Sequence, residues 1–273
     1  MRESVDDIRK RVKESQTNYI ENIGVVEAIL KKDRGYVFRE PIKEPVIVAY
    51  SGGLDSTVAI EMIIKDWDSK VYPLFFKRGA RSEKFEERAF DYFVDFYKKK
   101  HPSNVGEPMK ISCQIPSAEI KQYIPNERTL TVGHPMRNST MQNKAVEYAV
   151  ALNNKLDLNI NTILTGSVAD DNTEPELGLL SLRSQNLNVC INTANWNWQI
   201  TSPLIETSLK DRPISKAAII RYAYWNNIPL DKTRTCFSDE EIADGTCLAC
   251  INRLQAFEEA GFVDEIPYKE ASL

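Results

Sequence analysis

The chain has 273 residues, enough for one large domain with a substantial buried core. Its composition, 42% hydrophobic and 27% charged, is that of a globular protein. A net charge of −4 argues against a nucleic-acid-coating surface, and no apolar run approaches the roughly 18 residues of a membrane span.

Taken in chain order, MRESVDDIRKRVKESQ is dense in charge and has no apolar core, which excludes a secretory signal. Residues 4–17 are predicted as a helix, with Ser4 and Asp7 resembling a capping box and Val5, Ile8 and Val12 at helical spacing. GYVFRE (35–40) is predicted as a short strand, and EPIKEP (40–45) carries two prolines that suit a linker. Residues 1–45 are therefore expected as an extension of helix plus short strand, lying over the main core.

From Val46 short apolar runs alternate with longer helical segments. Strands are predicted at 46–50, 70–76, 109–115 and 162–167, and helices at 55–66, 82–100, 143–156 and 215–227. Strands alternating with helices of this length mean βαβ units: an α/β fold with a mostly parallel, doubly wound sheet and helices on both faces. The core is expected over 46–234, with a small cysteine-rich segment, 235–273, packed on it. In such sheets ligands sit at the strand-to-helix turns beyond the carboxyl ends of the strands.

One of these turns is Ser51-Gly52-Gly53-Leu54-Asp55-Ser56-Thr57, directly after the strand VIVAY. Adjacent glycines let the backbone turn sharply and approach a ligand with no Cβ in the way. Unpaired amides at the following helix start, with the positive end of the helix dipole, attract phosphate. A plain N-cap explains one polar residue but not this cluster, and the lysine of an ordinary P-loop is absent. The turn is expected to cradle phosphate.

Five cysteines, an odd number, fit a reducing cytoplasm better than a disulfide framework. Three of them, Cys236, Cys247 and Cys250, crowd into fifteen residues, and Cys247-x-x-Cys250 has the spacing of a zinc knuckle. Three reduced, buried thiols without a metal are the simpler alternative.

The run Ser51–Ser56 matches the SGGxDS signature of the PP-loop ATP pyrophosphatases. Later segments resemble the 7-cyano-7-deazaguanine synthases, the QueC family, along most of 46–260. They are PMRN (135–138), TILTGS (162–167) followed by Asp170 and Asp171, TSPLIE (201–206), Lys216, and TCFSDEEIADGTCLACINR (235–253). The resemblance implies that Ser51, Gly52, Gly53, Leu54, Asp55, Ser56, Thr57 and Gly166 bind ATP and its Mg2+. It implies that Asp55, Arg137 and Lys216 are the catalytic group, with Arg137 and Lys216 neutralising phosphate or a substrate carboxylate. Arg81, Asp170 and Asp171 are the expected substrate contacts. It also implies zinc on Cys236, Cys247 and Cys250, with Asp244 where the family has another cysteine; Asp244, a water or His134 completes the set.

The implied reaction adenylates 7-carboxy-7-deazaguanine, with release of pyrophosphate, for attack by ammonia, giving an amide and then a nitrile for queuosine biosynthesis. Two departures stand out: Lys77-Arg78-Gly79-Ala80-Arg81-Ser82 replaces the family's Asp-Tyr-Gly-Gln-Arg-His, and residues 1–45 have no counterpart. A QueC-like antiviral defence protein that joins the activated deazaguanine to an amine on a partner protein is therefore an alternative. A tRNA-modifying PP-loop enzyme and a non-enzymatic nucleotide sensor are further alternatives, the former disfavoured by the acidic balance. A homodimer is compatible with the resemblance, and a cytoplasmic location is expected.

Overall fold

The computed structural model describes residues 4–15, 18–124, 133–168, 175–210 and 214–269. Five parallel strands form one sheet: β1 (Pro45–Ala49), β2 (Lys70–Lys77), β3 (Met109–Ser112), β4 (Thr162–Leu164) and β5 (Gln199–Thr201), in the order β3-β2-β1-β4-β5. The chain runs outward from β1 to β3 on one side and from β4 to β5 on the other. The switch point therefore lies between β1 and β4, and the phosphate-loop sequence leaves the sheet there.

β1 is apolar throughout because both of its faces are covered. Val46 and Val48 join one buried cluster and Ile47 the other. The first face is closed by α3 (Leu54–Trp67), α4 (Glu83–Lys100) and, further along the chain, α9 (Lys216–Trp225) and α10 (Leu248–Ala260). The second is closed by α6 (Arg137–Leu156) and α7 (Leu179–Thr193), with a short α5 (Ala118–Lys121) outside the core. α8 (Pro203–Lys210) feeds Leu204 to one cluster and Ile205 to the other. The expected doubly wound α/β architecture is what forms. Among the described residues no helix is long and apolar enough to cross a membrane.

The extension differs from expectation. Its first helix, α1 (Val5–Ser15), starts at a capping box in which Ser4 and Asp7 exchange hydrogen bonds of 3.1 Å. A second helix, α2 (Tyr19–Arg34), follows, and it packs against α7. Its apolar residues run around the whole cylinder, leaving Ile20 and Val25 exposed and Leu30 buried, so no single stripe announces it.

The predicted strand at 35–40 does not form. Gly35 adopts φ +85° and caps α2, and the Arg34 guanidinium takes the carbonyls of Tyr36 and Val37. The Gln199 side chain brackets Arg39, accepting from its N–H at 2.7 Å and donating to its carbonyl at 2.9 Å. Side chains thus hold the backbone groups that a strand ladder would need.

The carboxyl-terminal segment is more ordered than a loop bearing cysteines. α10 packs on α9 through Ala256, Phe257 and Ala260. Its buried Arg253 pairs with Asp264 at 2.6 Å and bonds Thr233 at 2.6 Å and the Leu230 carbonyl at 3.0 Å.

Candidate active site

The phosphate-loop residues close a tight turn between β1 and α3. Gly52 sits at φ +75°, and a Cβ there would lie 2.6 Å from the Phe90 nitrogen and 2.8 Å from the Ala89 Cβ. Only glycine fits, because the turn is pressed onto α4. Gly53 is the N-cap of α3 in an extended conformation, so a residue without a side chain stands where the helix begins.

The polar side chains of the loop brace its backbone. Thr57 donates to the Gly53 carbonyl at 2.7 Å, Tyr50 and Thr57 share a 2.9 Å bond, and Tyr97 donates to the Thr57 carbonyl at 2.8 Å. Ser51 accepts from Gly53 N–H at 3.3 Å and lies 3.4 Å from the Ser56 hydroxyl. Burial pushes the Tyr50 and Tyr97 phenols well above their ordinary range, so both act as neutral donors.

From the other side comes the turn after β4. A Cβ on Gly166 would lie 2.7 Å from the Ser56 nitrogen, so this backbone rests directly on the start of α3. The turn is held by Thr165 N–H donating to the Thr201 carbonyl at 2.9 Å and Ser202 donating to the Ser167 carbonyl at 2.6 Å. Lys216, the first residue of α9 behind its Ser215 cap, places its ammonium 3.7 Å from the Asp55 carboxylate. Ser51 to Thr57, Gly166 and Lys216 thus converge at one place.

Arg137 stands at the first turn of α6, donating to Asn138 Oδ1 at 3.2 Å. Glu176 lies against the same turn, accepting from Asn138 N–H at 3.1 Å. Burial pushes the Glu176 carboxyl up, partly offset by these amides and Arg137; burial and Arg137 push the His134 imidazole down. Arg81 is exposed, whereas its neighbour Arg78 makes the two-pronged pair with buried Glu86, at 2.6 and 2.9 Å. Asp170 and Asp171 lie outside the described residues. Sequence reading missed Glu176, because TEPELG (173–178) carries no motif.

The fourth group is the cysteine cluster. Ligand atoms of Cys236, Asp244, Cys247 and Cys250 all lie within 4.8 Å of one another. Sulfur separations are 3.4 Å for Cys247–Cys250 and 4.0 Å for Cys236–Cys247. These bracket the edge of about 3.8 Å of a tetrahedron with Zn–S bonds of roughly 2.3 Å. The neighbouring Cys250 thiol holds Cys247 down to about 6. Burial works against ionised Asp244, yet the Cys247 and Thr246 N–H groups, each at 2.9 Å, hold it at about 2. Three sulfurs and a carboxylate at this spacing fit a zinc ion, and Asp244 is the fourth donor that closes the set among the described residues.

The family model described as queuosine biosynthesis protein QueC matches residues 45–261. Over 230 residues the chain is 33% identical to the 7-cyano-7-deazaguanine synthase of Acetivibrio thermocellus, covering 82% of this chain and 97% of that protein. It is 29% identical over 241 residues to the synthase of the same name from Nautilia profundicola, covering 82% and 98%. The helices α1 and α2 precede the matched region.

Proposed function

The chain belongs to the QueC family of queuosine biosynthesis proteins, and from that premise we propose that it is an ATP-dependent ligase that activates the carboxylate of 7-carboxy-7-deazaguanine. One observation carries this reading: the glycine-capped start of α3, gripped between Gly52 and Gly166 at the switch point of the sheet, with Lys216 and Asp55 at its mouth.

A carboxylate resists nucleophiles because its charge and resonance make the carbon a poor electrophile. In the first step its oxygen attacks the α-phosphorus of ATP, the bond to the bridging oxygen breaks, and pyrophosphate leaves. In the second step the ammonia lone pair attacks the acyl carbon, the bond to the AMP oxygen breaks, and a proton is lost, giving the amide. A second ATP then adenylates the amide oxygen, with pyrophosphate leaving; the nitrogen gives up its two protons as the bond from carbon to the AMP oxygen breaks, giving the nitrile.

The protein supplies placement and charge. Amides at the start of α3, with Ser51 and Ser56, hold the pyrophosphate end. Lys216 neutralises the negative charge that moves onto the leaving pyrophosphate. The Asp55 carboxylate, in the first turn of α3, is the residue that would hold Mg2+, which offsets phosphate charge when bound. Arg137 receives the substrate carboxylate, Arg81 contributes a further substrate contact, and Asp170 and Asp171 accept from guanine-like N–H groups. Zinc on Cys236, Asp244, Cys247 and Cys250 would be structural, ordering a segment that has little apolar core of its own.

The reading is tested by incubating the protein with ATP, Mg2+ and 7-carboxy-7-deazaguanine, with and without ammonia, and weighing the product by mass spectrometry. AMP and pyrophosphate in equal amounts, with amide or nitrile formed only with ammonia, support it. Tight nucleotide binding without pyrophosphate release contradicts it.

A further inference from the structure

α2 presents three residues along one face to α7 and to the chain entering β5. The Tyr19 hydroxyl accepts from Leu180 N–H at 3.1 Å, in a space where a Cβ on Gly178 would stand 2.6 Å away. Eight residues on, Glu27 accepts from Arg183 Nε at 2.9 Å. Seven further, Arg34 donates to the Trp198 carbonyl at 2.6 Å, at the entry to β5.

Arg183 is 2% exposed, and its other edge grips Glu206 at 2.6 and 3.2 Å. Glu206 in turn accepts from the Thr201 hydroxyl, and its own N–H donates to the Ser202 carbonyl at 3.0 Å. Thr201 and Ser202 are the residues that hold Thr165 and Ser167, and between those two Gly166 rests on Ser56. A contiguous set of polar contacts therefore runs from the extension to the turn at Gly166, whose backbone packs on the phosphate loop.

A buried ion pair adds little net stability over apolar packing of the same volume, and its better-attested use is to fix orientation. With Glu206 on one edge of Arg183, the Nε–H needs a second acceptor, and Glu27 supplies it. We infer that Glu27 is a positioning residue: through Arg183 and Glu206 it sets the Thr201–Ser202 turn and so holds Gly166 against the phosphate loop, making α2 part of the ATP site. This rests on the phosphate-loop reading above.

The test uses the full chain and α,β-methylene-ATP, read by calorimetric titration well below the melting temperature, with amide exchange followed over 199–206. Glu27→Gln keeps the shape and removes the charge; Glu27→Asp keeps the charge one methylene short; Glu21→Gln, exposed on the same helix, is the control. The expected result is a Kd raised about tenfold in the glutamine variant, an intermediate value in the aspartate variant, and faster exchange at 199–206. Should the glutamine variant fail to fold, the aspartate variant carries the test with the same readouts. A lowered melting temperature with wild-type affinity and unchanged exchange overturns the inference and leaves the phosphate-loop reading standing. Absence of binding by the wild-type protein removes that reading, and with it the inference.

Discussion

The Arg234 N–H donates to the Gly52 carbonyl at 3.0 Å, so the chain entering the cysteine cluster is hydrogen-bonded to the phosphate loop itself. The Arg234 guanidinium lies over the Phe85 ring at 4.4 Å and reaches the carbonyls of Cys236, Ser238 and Glu240 at 3.1, 2.8 and 2.9 Å. Lys84 and Arg88 pin Asp239 and Glu241 to α4. Order in the cluster and order in the loop are therefore linked.

The first prediction concerns that link. Purified protein should carry close to one zinc per chain, and chelation should lower its melting temperature by at least ~5 °C. Nucleotide affinity should fall with it. Cys250→Ser should lose the metal and reproduce both effects. Metal analysis and thermal melts check this; a metal-free protein indifferent to chelator would contradict it.

The second prediction concerns close approach. Gly52→Ala must accommodate both a left-handed φ and a methyl group pushed into α4 backbone, which together cost about 3 kcal/mol or more. Gly166→Ala keeps an ordinary φ and meets Ser56 at 2.7 Å, so it should be milder in stability and still damaging to nucleotide binding. Denaturant unfolding and nucleotide titration of the two variants separate these effects. Equal stability loss would mean the Gly166 contact is fixed no less tightly than that of Gly52.

These glycines also show what the sequence made legible. A buried strand followed by adjacent glycines needs a turn at a sheet edge, and the amphipathic stripe Phe85, Ala89, Phe90, Phe93, Val94 and Tyr97 could only be a helix on the sheet. α7 stayed hidden because its buried face includes Arg183, Gln185 and Asn186, whose partners are distant in sequence and so mask its periodicity. β5 is three residues long, too short for an alternation, and follows a polar run. The 35–40 segment looked like a strand because its aromatic and β-branched content favours one. Long-range side-chain bonds from Arg34 and Gln199 decided otherwise. The phosphate loop was readable because its chemistry is local, whereas Glu176 and the Glu27–Arg183–Glu206 set depend on tertiary contacts.

The third prediction separates charge from fold at the mouth of the site. Lys216→Met should lower kcat by ~10²-fold or more, because a charge that neutralises the leaving group acts mainly in the transition state. Asp55→Ala should abolish AMP formation. Both variants should melt near the wild-type temperature, since the Lys216–Asp55 pair is loose at 3.7 Å and its side chains are 26 and 27% exposed. Full activity in the Asp55 variant would refute its assignment.

The fourth prediction follows from Glu176. Burial raises its carboxyl above the ordinary value of 4.5, so folding favours the protonated form. That contribution is complete below the unfolded value and is lost as pH rises through the higher folded one. Glu176→Gln has no such proton to lose. The melting temperature of wild type relative to Glu176→Gln should therefore decline as pH is raised from about 4 to 7. Thermal melts across that range check it, and a flat or rising difference would contradict the burial argument.

The central claim is that amides at the start of α3 hold the tail of ATP while an acid is adenylated. Its most direct test is exchange of labelled pyrophosphate into ATP, with 7-carboxy-7-deazaguanine present and ammonia withheld, in wild type and Asp55→Ala. The account predicts acid-dependent label in ATP for the wild type and none for the variant. Wild-type protein that incorporates no label, or that releases ADP and phosphate in place of AMP and pyrophosphate, would contradict it.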